Sequence, residues 1–184
     1  MTPPLTISHA RNMDPAVLQD FFERIDADER GFFKEDVLDP GVISFWSREN
    51  RGLRLVAATP DGAVQGFVAV LTGTGWASHV GDLRLVVSPV FRRRGLGRQL
   101  SRQALAEALS QGVEKITVEV IAEQRAAVEL FQELGFEAEA LLREQVRTRD
   151  GQNRDLMILS YFVQQRLQEM SKLGVGLAVD TAVE

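Results

Sequence analysis

One segment constrains this chain more than any other: Leu85-Val-Val-Ser-Pro-Val-Phe-Arg-Arg-Arg-Gly-Leu-Gly-Arg-Gln-Leu100. Its apolar start reads as a strand that ends at Ser88-Pro89, and Arg92-x-x-Gly95-x-Gly97 reads as a turn. A helix follows directly, from about Gly97 to Ser110, with Leu100, Ala104, Leu105 and Ala108 on one face and Gly112 as its stop. Glycines let a backbone approach a ligand closely, and a helix N-terminus aims free N–H groups outward at the positive end of the helix dipole. The segment therefore suits a pyrophosphate. It is not a Walker loop, because no Gly-Lys-Ser/Thr follows. Nor is it a dinucleotide fingerprint, because three glycines in the Gly-x-Gly-x-x-Gly register are absent.

The flanking elements build an α/β domain around this turn. A helix is expected from about Pro15 to Ile25, capped by Asp14, with Leu18, Phe21, Phe22 and Ile25 facing inward. The acidic, aromatic stretch Asp26–Asp39 follows as a short helix with loops. Leu53–Ala58 and Val64–Leu71 read as a hairpin around Thr59-Pro-Asp-Gly62. The strand Gly81–Val87 leads into the glycine turn. Beyond the helix lie strand Lys115–Ile121, a helix from about Arg125 to Leu134 closed by Gly135, and strands near Glu137–Arg147 and Arg154–Val163 around Arg149-Asp-Gly-Gln152. The expected order is α-α-β-β-β-α-β-α-β-β. No internal repeat interrupts it, so residues 1–163 read as a single domain and residues 164–184 as a helical extension with a frayed tail.

Composition narrows the chemistry. With 184 residues, 45% apolar and 26% charged, the chain can bury a core of ordinary size. It contains no cysteine, which removes disulfides, thiolate-held zinc, iron–sulfur clusters and a cysteine nucleophile. Two histidines, His9 and His79, leave little room for a histidine metal site, and no metal is expected. A net charge of −5 argues against general nucleic-acid binding through Arg92-Arg93-Arg94. The first residues lack a basic segment followed by an apolar run, and Phe67–Leu71 is too short to cross a bilayer. A cytoplasmic protein without membrane partners is the expectation.

Two motifs then resemble the GNAT superfamily of N-acetyltransferases. Val87-Ser-Pro89 with Arg92–Gly97 matches the family's Arg/Gln-x-x-Gly-x-Gly/Ala turn behind a strand ending in Val-x-Pro. Ala127-Val-Glu-Leu-Phe-Gln-Glu-Leu-Gly-Phe136 matches its second helix end. The likeness runs from about Leu53 to Val163 and implies a mixed, mostly antiparallel central sheet with flanking helices. It also implies acetyl-CoA as acyl donor, lying where the strands ending at Val87 and Ile121 splay apart. Leu85, Val86 and Val87 would line its pantetheine arm, with backbone bonds from Leu85 and Val87. The N–H groups of Arg92, Arg93, Arg94, Gly95, Leu96, Gly97 and Arg98 would hold its pyrophosphate. A primary amine, on a small molecule or a protein, would attack the thioester in a ternary complex, since no cysteine can carry the acyl group. A homodimer is compatible with this reading.

The chain departs from the pattern at two positions. Gln124 stands where relatives often carry Asn, and Phe131 stands where many carry a Tyr that protonates the departing thiolate. Thiols ionise near pH 8.5, so a thiolate can leave without that acid; Tyr161 or a water are substitutes. For the base, Asp82 lies near the position where relatives often hold Glu, and His79 is the second candidate. Each has a plain alternative as a surface or capping residue. The acidic stretch, with Phe32, Phe33, Phe45 and Trp46 nearby, reads either as a rim that attracts a cationic amine or as a solvated face over an aromatic core. An acyl-CoA-binding module with little catalysis is the competing function, favoured by Phe131.

Overall fold

Asp14 starts the first helix as its side chain accepts the Ala16 N–H, and Pro15 takes the first helical position. This helix, α1 (Pro15–Glu23), buries Leu18, Phe21 and Phe22. The computed structural model, which describes residues 3–46 and 52–172, next places two short helices, α2 (Ala27–Arg30) and α3 (Pro40–Trp46), around a 3-10 turn at Gly31–Phe33. The strands are β1 (Thr6–His9), β2 (Leu53–Ala58), β3 (Val64–Thr72), β4 (Val80–Val87), β5 (Lys115–Ile121), β6 (Glu137–Arg147) and β7 (Asn153–Phe162). Helices α4 (Leu96–Ser110), α5 (Arg125–Glu133) and α6 (Val163–Lys172) complete the described chain.

The seven strands form one sheet in the order β1-β2-β3-β4-β5-β7-β6. Every neighbouring pair is antiparallel except β4 and β5, which run parallel across the α4 connection. Strand β1 adds an element to the expected order. It is four residues long and pairs Ile7 with Ala57 of β2, so its stabilising contacts lie far along the chain and leave no local signature. The frayed tail expected at the C-terminus falls on residues 173–184, outside the described residues.

Both faces of the sheet are covered, which is why β2 is buried along nearly its whole length. On one face α4 and α5 pack on Leu55, Val68, Leu83, Ile116, Val118 and Leu159. Gly66 permits the close approach of α4 to β3: a Cβ there would lie 2.7 Å from Leu100 Cδ1. On the other face α1–α3 form an aromatic cluster over β2–β4. Phe22 meets Phe21, Phe33, Trp46 and Phe67 edge-on at 5.2–5.8 Å between ring centroids. Arg54 lies over the Trp46 ring at 5.1 Å.

The acidic stretch holds this second layer together. Asp26 caps α2 through the Asp28 N–H, and Asp39 accepts from the Gly41 N–H at the start of α3. Asp28 accepts the Arg149 N–H and ties α2 to the β6–β7 hairpin; Glu29 pairs with Arg92 at 2.6 Å. Phe33 and Trp46 are core residues, Phe45 is exposed, and Phe32 is half-buried. These carboxylates serve as caps and anchors rather than as an open acidic rim.

Candidate active site

The parallel pair β4–β5 is hydrogen-bonded over only half its length. Val80, Gly81, Asp82 and Leu83 register with Lys115, Ile116, Thr117 and Val118, and the pairing stops there. Beyond it, β4 stays joined to β3 as far as Val87 and β5 stays joined to β7 as far as Ile121. Each strand follows its own neighbour, and a wedge opens between them. Ser88 N–H donates to Gln65 O on β3 at 2.8 Å. Backbone groups alternate sides residue by residue in such a ladder, so Arg84 and Val86 turn toward β3 while Leu85 and Val87 turn toward the wedge. Val86 is also buried with the α1–α3 layer, so it does not reach the wedge that its two neighbours face.

The glycine turn closes the wide end of the wedge. Pro89–Phe91 forms a 3-10 turn, and the chain enters α4 through Gly95 at φ +82°. Gln99 N–H is the first to bond back, to Gly95 O at 3.0 Å, so the N–H groups of Leu96, Gly97 and Arg98 precede the intrahelical ladder. A Cβ on Gly97 would lie 3.4 Å from both Leu85 Cδ2 on β4 and Leu130 Cδ2 on α5. A Cβ would just make van der Waals contact on both sides, and a larger side chain would fill this corner. The three arginines have different surroundings. Arg92 donates to Val87 O at 3.0 Å and to Glu29, Arg93 is exposed with a left-handed backbone at φ +55°, and the Arg94 guanidinium lies 5.9 Å from the Phe91 ring. Arg98 is ion-paired with Glu133 of α5. Gln124 stands exposed at the start of α5, where its N–H bonds Ile121 O at the end of β5.

Other expected residues lie elsewhere. Phe131 is buried in the core, edge-on to Phe136 at 5.3 Å. Tyr161 pairs with Ile116 and packs on Phe136, at the joined end of β5 rather than at the wedge. His79 precedes β4, exposed, with its carbonyl accepting from Glu114 and Lys115 N–H. At about 3.3 Å per strand residue, it is some 20 Å along β4 from Leu85. The structure therefore does not bring His79 to the wedge.

Asp82 does lie beside the wedge, but Arg84 holds its Oδ2 through two nitrogens at 2.9 and 3.1 Å. A residue that sequence reasoning missed stands closer to the opening. Glu119 is the first β5 residue past the last pair, and its Oε1 lies 2.7 Å from Lys34 Nζ; the same Nζ is 3.9 Å from Asp82 Oδ2. The signal was present. Ile116, Val118 and Val120 face the core, which turns Glu119 to the opposite side of a strand where Glu is disfavoured. The same propensity argument singles out Asp82. Beside Glu119 opens a cavity of about 400 Å³, lined by Phe32, Lys34, Ile121, Arg147 and Thr148 among others. The wedge and the cavity thus meet at one carboxylate. A second cavity, of about 260 Å³, lies at the far end of the sheet near His9 and Arg54. Among the described residues no group of histidine or carboxylate side chains is arranged to hold a metal, and no helix is long and apolar enough to cross a membrane.

Comparison with known proteins places this geometry. The profile of the acetyltransferase (GNAT) family matches residues 18–136. The ribosomal protein bS18-alanine N-acetyltransferase of Salmonella typhimurium strain LT2 is 36% identical over 76 residues, 41% of this chain and 51% of that protein. The match thus spans about half the length of the relative. Among solved structures, a GNAT family acetyltransferase from Streptococcus pneumoniae superposes with a TM-score of 0.72 at 23% identity, covering 87% of this chain and 100% of that one. Spermidine N-acetyltransferase from Vibrio cholerae in complex with CoA and spermine gives a TM-score of 0.72 at 18% identity over 89% of this chain and 98% of that one. These two share the fold. The split β4–β5 pair, the glycine turn into α4 and the family match over most of the domain lead to one statement: the chain belongs to the GNAT acetyltransferase family.

Proposed function

We propose that this chain transfers the acetyl group of acetyl-CoA to a primary amine by direct attack in a ternary complex. The observation that carries the reading is the meeting of wedge and cavity at Glu119. Two features fit the donor: the Leu85 and Val87 backbone turned into the wedge suits the amides of a pantetheine arm, and the open N–H groups of Leu96, Gly97 and Arg98 suit a pyrophosphate. Arg92, Arg93 and Arg94 add positive charge around it. Gln124 lies where the arm would leave the wedge.

The acceptor enters from the α2 side. An attacking amine must shed a proton, and Glu119 is placed to take it directly; Asp82, held by Arg84, steadies the charge beside it. The leaving thiolate needs no acid, because thiols ionise near pH 8.5, and the buried Phe131 supplies none. The carboxylates Asp26, Asp28 and Glu29 are held as caps and anchors, which favours an acceptor with one charge over a polycation. An acceptor with a single amine suits the cavity better. The α-amino group of a protein, as the bS18 relative's name describes, is one such acceptor and is already partly neutral near pH 7.

Thiol release from acetyl-CoA across a panel of polyamines, small monoamines and peptides with free N-termini tests this. Amine-dependent release, stronger with monoamines than with polyamines, is expected. Tight CoA binding with no release from any amine would instead favour an acyl-CoA-binding module, the reading that Phe131 supports.

A further inference from the structure

The chain contains three lysines against eighteen arginines: Lys34, Lys115 and Lys172. Lys115 is bound to Glu139 at 2.7 Å on the outer part of the sheet. Lys34 lies at the active site. It follows the Gly31–Phe33 turn with a left-handed backbone at φ +56°, a conformation that non-glycine residues adopt rarely and that clusters at functional positions. Its ammonium group reaches from α2's side of the cavity to the apex of the wedge. There it bonds Glu119 on β5 at 2.7 Å and approaches Asp82 on β4 at 3.9 Å. The side chain is half exposed, and among the described residues its ammonium group pairs with these two carboxylates. Lys34 thus stands where an acceptor amine would stand, against the group assigned above as base.

We propose that Lys34 is itself an acceptor, and that the chain acetylates its Nζ in cis when acetyl-CoA is bound and no external amine is present. The inference rests on the acetyltransferase reading. In the step, Glu119 takes one proton from the Lys34 ammonium group. The freed nitrogen lone pair attacks the thioester carbonyl carbon, the C–N bond forms, and the C–S bond breaks. The electron pair leaves on sulfur as CoA thiolate, which protonates from water, and the remaining surplus proton on nitrogen passes to solvent. The product is a neutral amide on Lys34. Holding the nucleophile beside its base replaces a bimolecular encounter with an intramolecular one, and the four-carbon lysine stem gives the reach needed to swing from carboxylate to thioester. Acetylation also removes the Lys34 cation that faces Glu119, so in a modified chain that carboxylate loses this counter-charge.

The test incubates the purified full chain with acetyl-CoA alone and follows each lysine by peptide mass spectrometry, alongside thiol release. Lys34 should gain one acetyl group at least about tenfold faster than Lys115, and at least about tenfold faster than Lys34 does in a guanidinium-denatured chain. The rate per chain should not change with protein concentration, and thiol release should stop near one equivalent. Glu119→Gln should slow it by about tenfold or more, and Lys34→Arg should abolish the stoichiometric release. Acetylation of Lys34 no faster than of Lys115, or a rate that rises with protein concentration, overturns the proposal. CoA binding by calorimetry and amine-dependent thiol release are measured on the same sample. If both are present while Lys34 stays unmodified, this inference fails and the acetyltransferase reading stands; if CoA does not bind, both fail.

Discussion

The two ends of the β4–β5 pair are built from the same two strands and behave as opposites. At the joined end, Val80–Leu83 and Lys115–Val118 satisfy one another, and the His79 carbonyl seals the corner by accepting from Glu114 and Lys115 N–H. At the open end, the strands stay paired with β3 and β7 instead; the Leu85 backbone and the Val87 N–H are left facing a gap, while the Val87 carbonyl accepts from Arg92 Nε at 3.0 Å. Buried backbone groups are costly without partners, so a gap of this kind calls for a ligand rich in amides. Residue type alone does not separate the ends: His79 and Tyr161 carry reactive side chains at the closed end, and Glu119 carries one at the open end.

The largest effect should come from filling the open end. Gly97→Val would place methyl groups among Leu85, Val87 and Leu130 and project into the wedge. Calorimetry on the folded variant should show CoA affinity falling at least about a hundredfold, roughly 2.7 kcal/mol. Unchanged affinity would mean that the donor binds elsewhere.

Next comes a contrast between ends. Glu119→Gln should lower kcat by about a hundredfold with CoA affinity nearly unchanged, and the deficit should shrink as pH rises toward the acceptor amine's own pKa. His79→Ala should leave the pH–rate profile as it is. A profile in which His79→Ala loses its acidic limb and Glu119→Gln does not would invert the comparison.

The difference in outcome also marks how much was legible in the sequence. Local signals survived into the structure: the Asp14 cap, the Thr59–Gly62 turn and the strand–glycine–helix run each depend on neighbours along the chain. What depended on distant partners did not show. Strand β1 pairs with β2 and meets α4 through His9 and Glu107, all distant in sequence, and the end of a strand at which a residue falls is set by where pairing stops, after Leu83 and Val118. No property of Asp82, His79 or Glu119 alone encodes that stopping point. Hence the sequence points to Asp82 and His79 alike, although only Asp82 lies near the point where pairing stops, and Glu119 carries no stronger local mark than either. The acidic stretch posed the same difficulty, because whether Asp28 faces solvent or the Arg149 N–H is decided by a hairpin far along the chain.

A smaller effect concerns Arg92, which joins the turn to both β4 and α2. Arg92→Ala removes the bonds to Val87 O and Glu29. CoA affinity should fall by about fivefold, the scale of an exposed ion pair's roughly 1 kcal/mol, and less at high salt. Complete loss of binding would show that side-chain rather than backbone contacts dominate at the open end.

The smallest effect lies on the outer part of the sheet. Bonds from Lys115 first, and from Ser160, hold the Glu139 carboxyl below its ordinary value of 4.5. A depressed carboxyl adds stability above its unfolded pKa and loses it as pH falls through the folded one. Wild type should therefore lose its advantage over Glu139→Gln on acidification below about pH 4.5. The pair is partly exposed and screened by solvent, so the difference should stay near or under about 1 kcal/mol. Urea titrations of both proteins at neutral and acidic pH would measure it; an advantage that grows toward acid would contradict the assigned direction.

If acetyl-CoA is the donor, its pantetheine arm occupies the gap left where β4 and β5 part. Backbone amide hydrogen exchange, residue by residue, with and without CoA, tests it most directly. Binding should slow exchange at Leu85, Val87, Leu96, Gly97 and Arg98 and leave Val80, Gly81 and the amides around His79 unchanged. Protection that appears instead around His79, with the wedge amides unaffected, would contradict it.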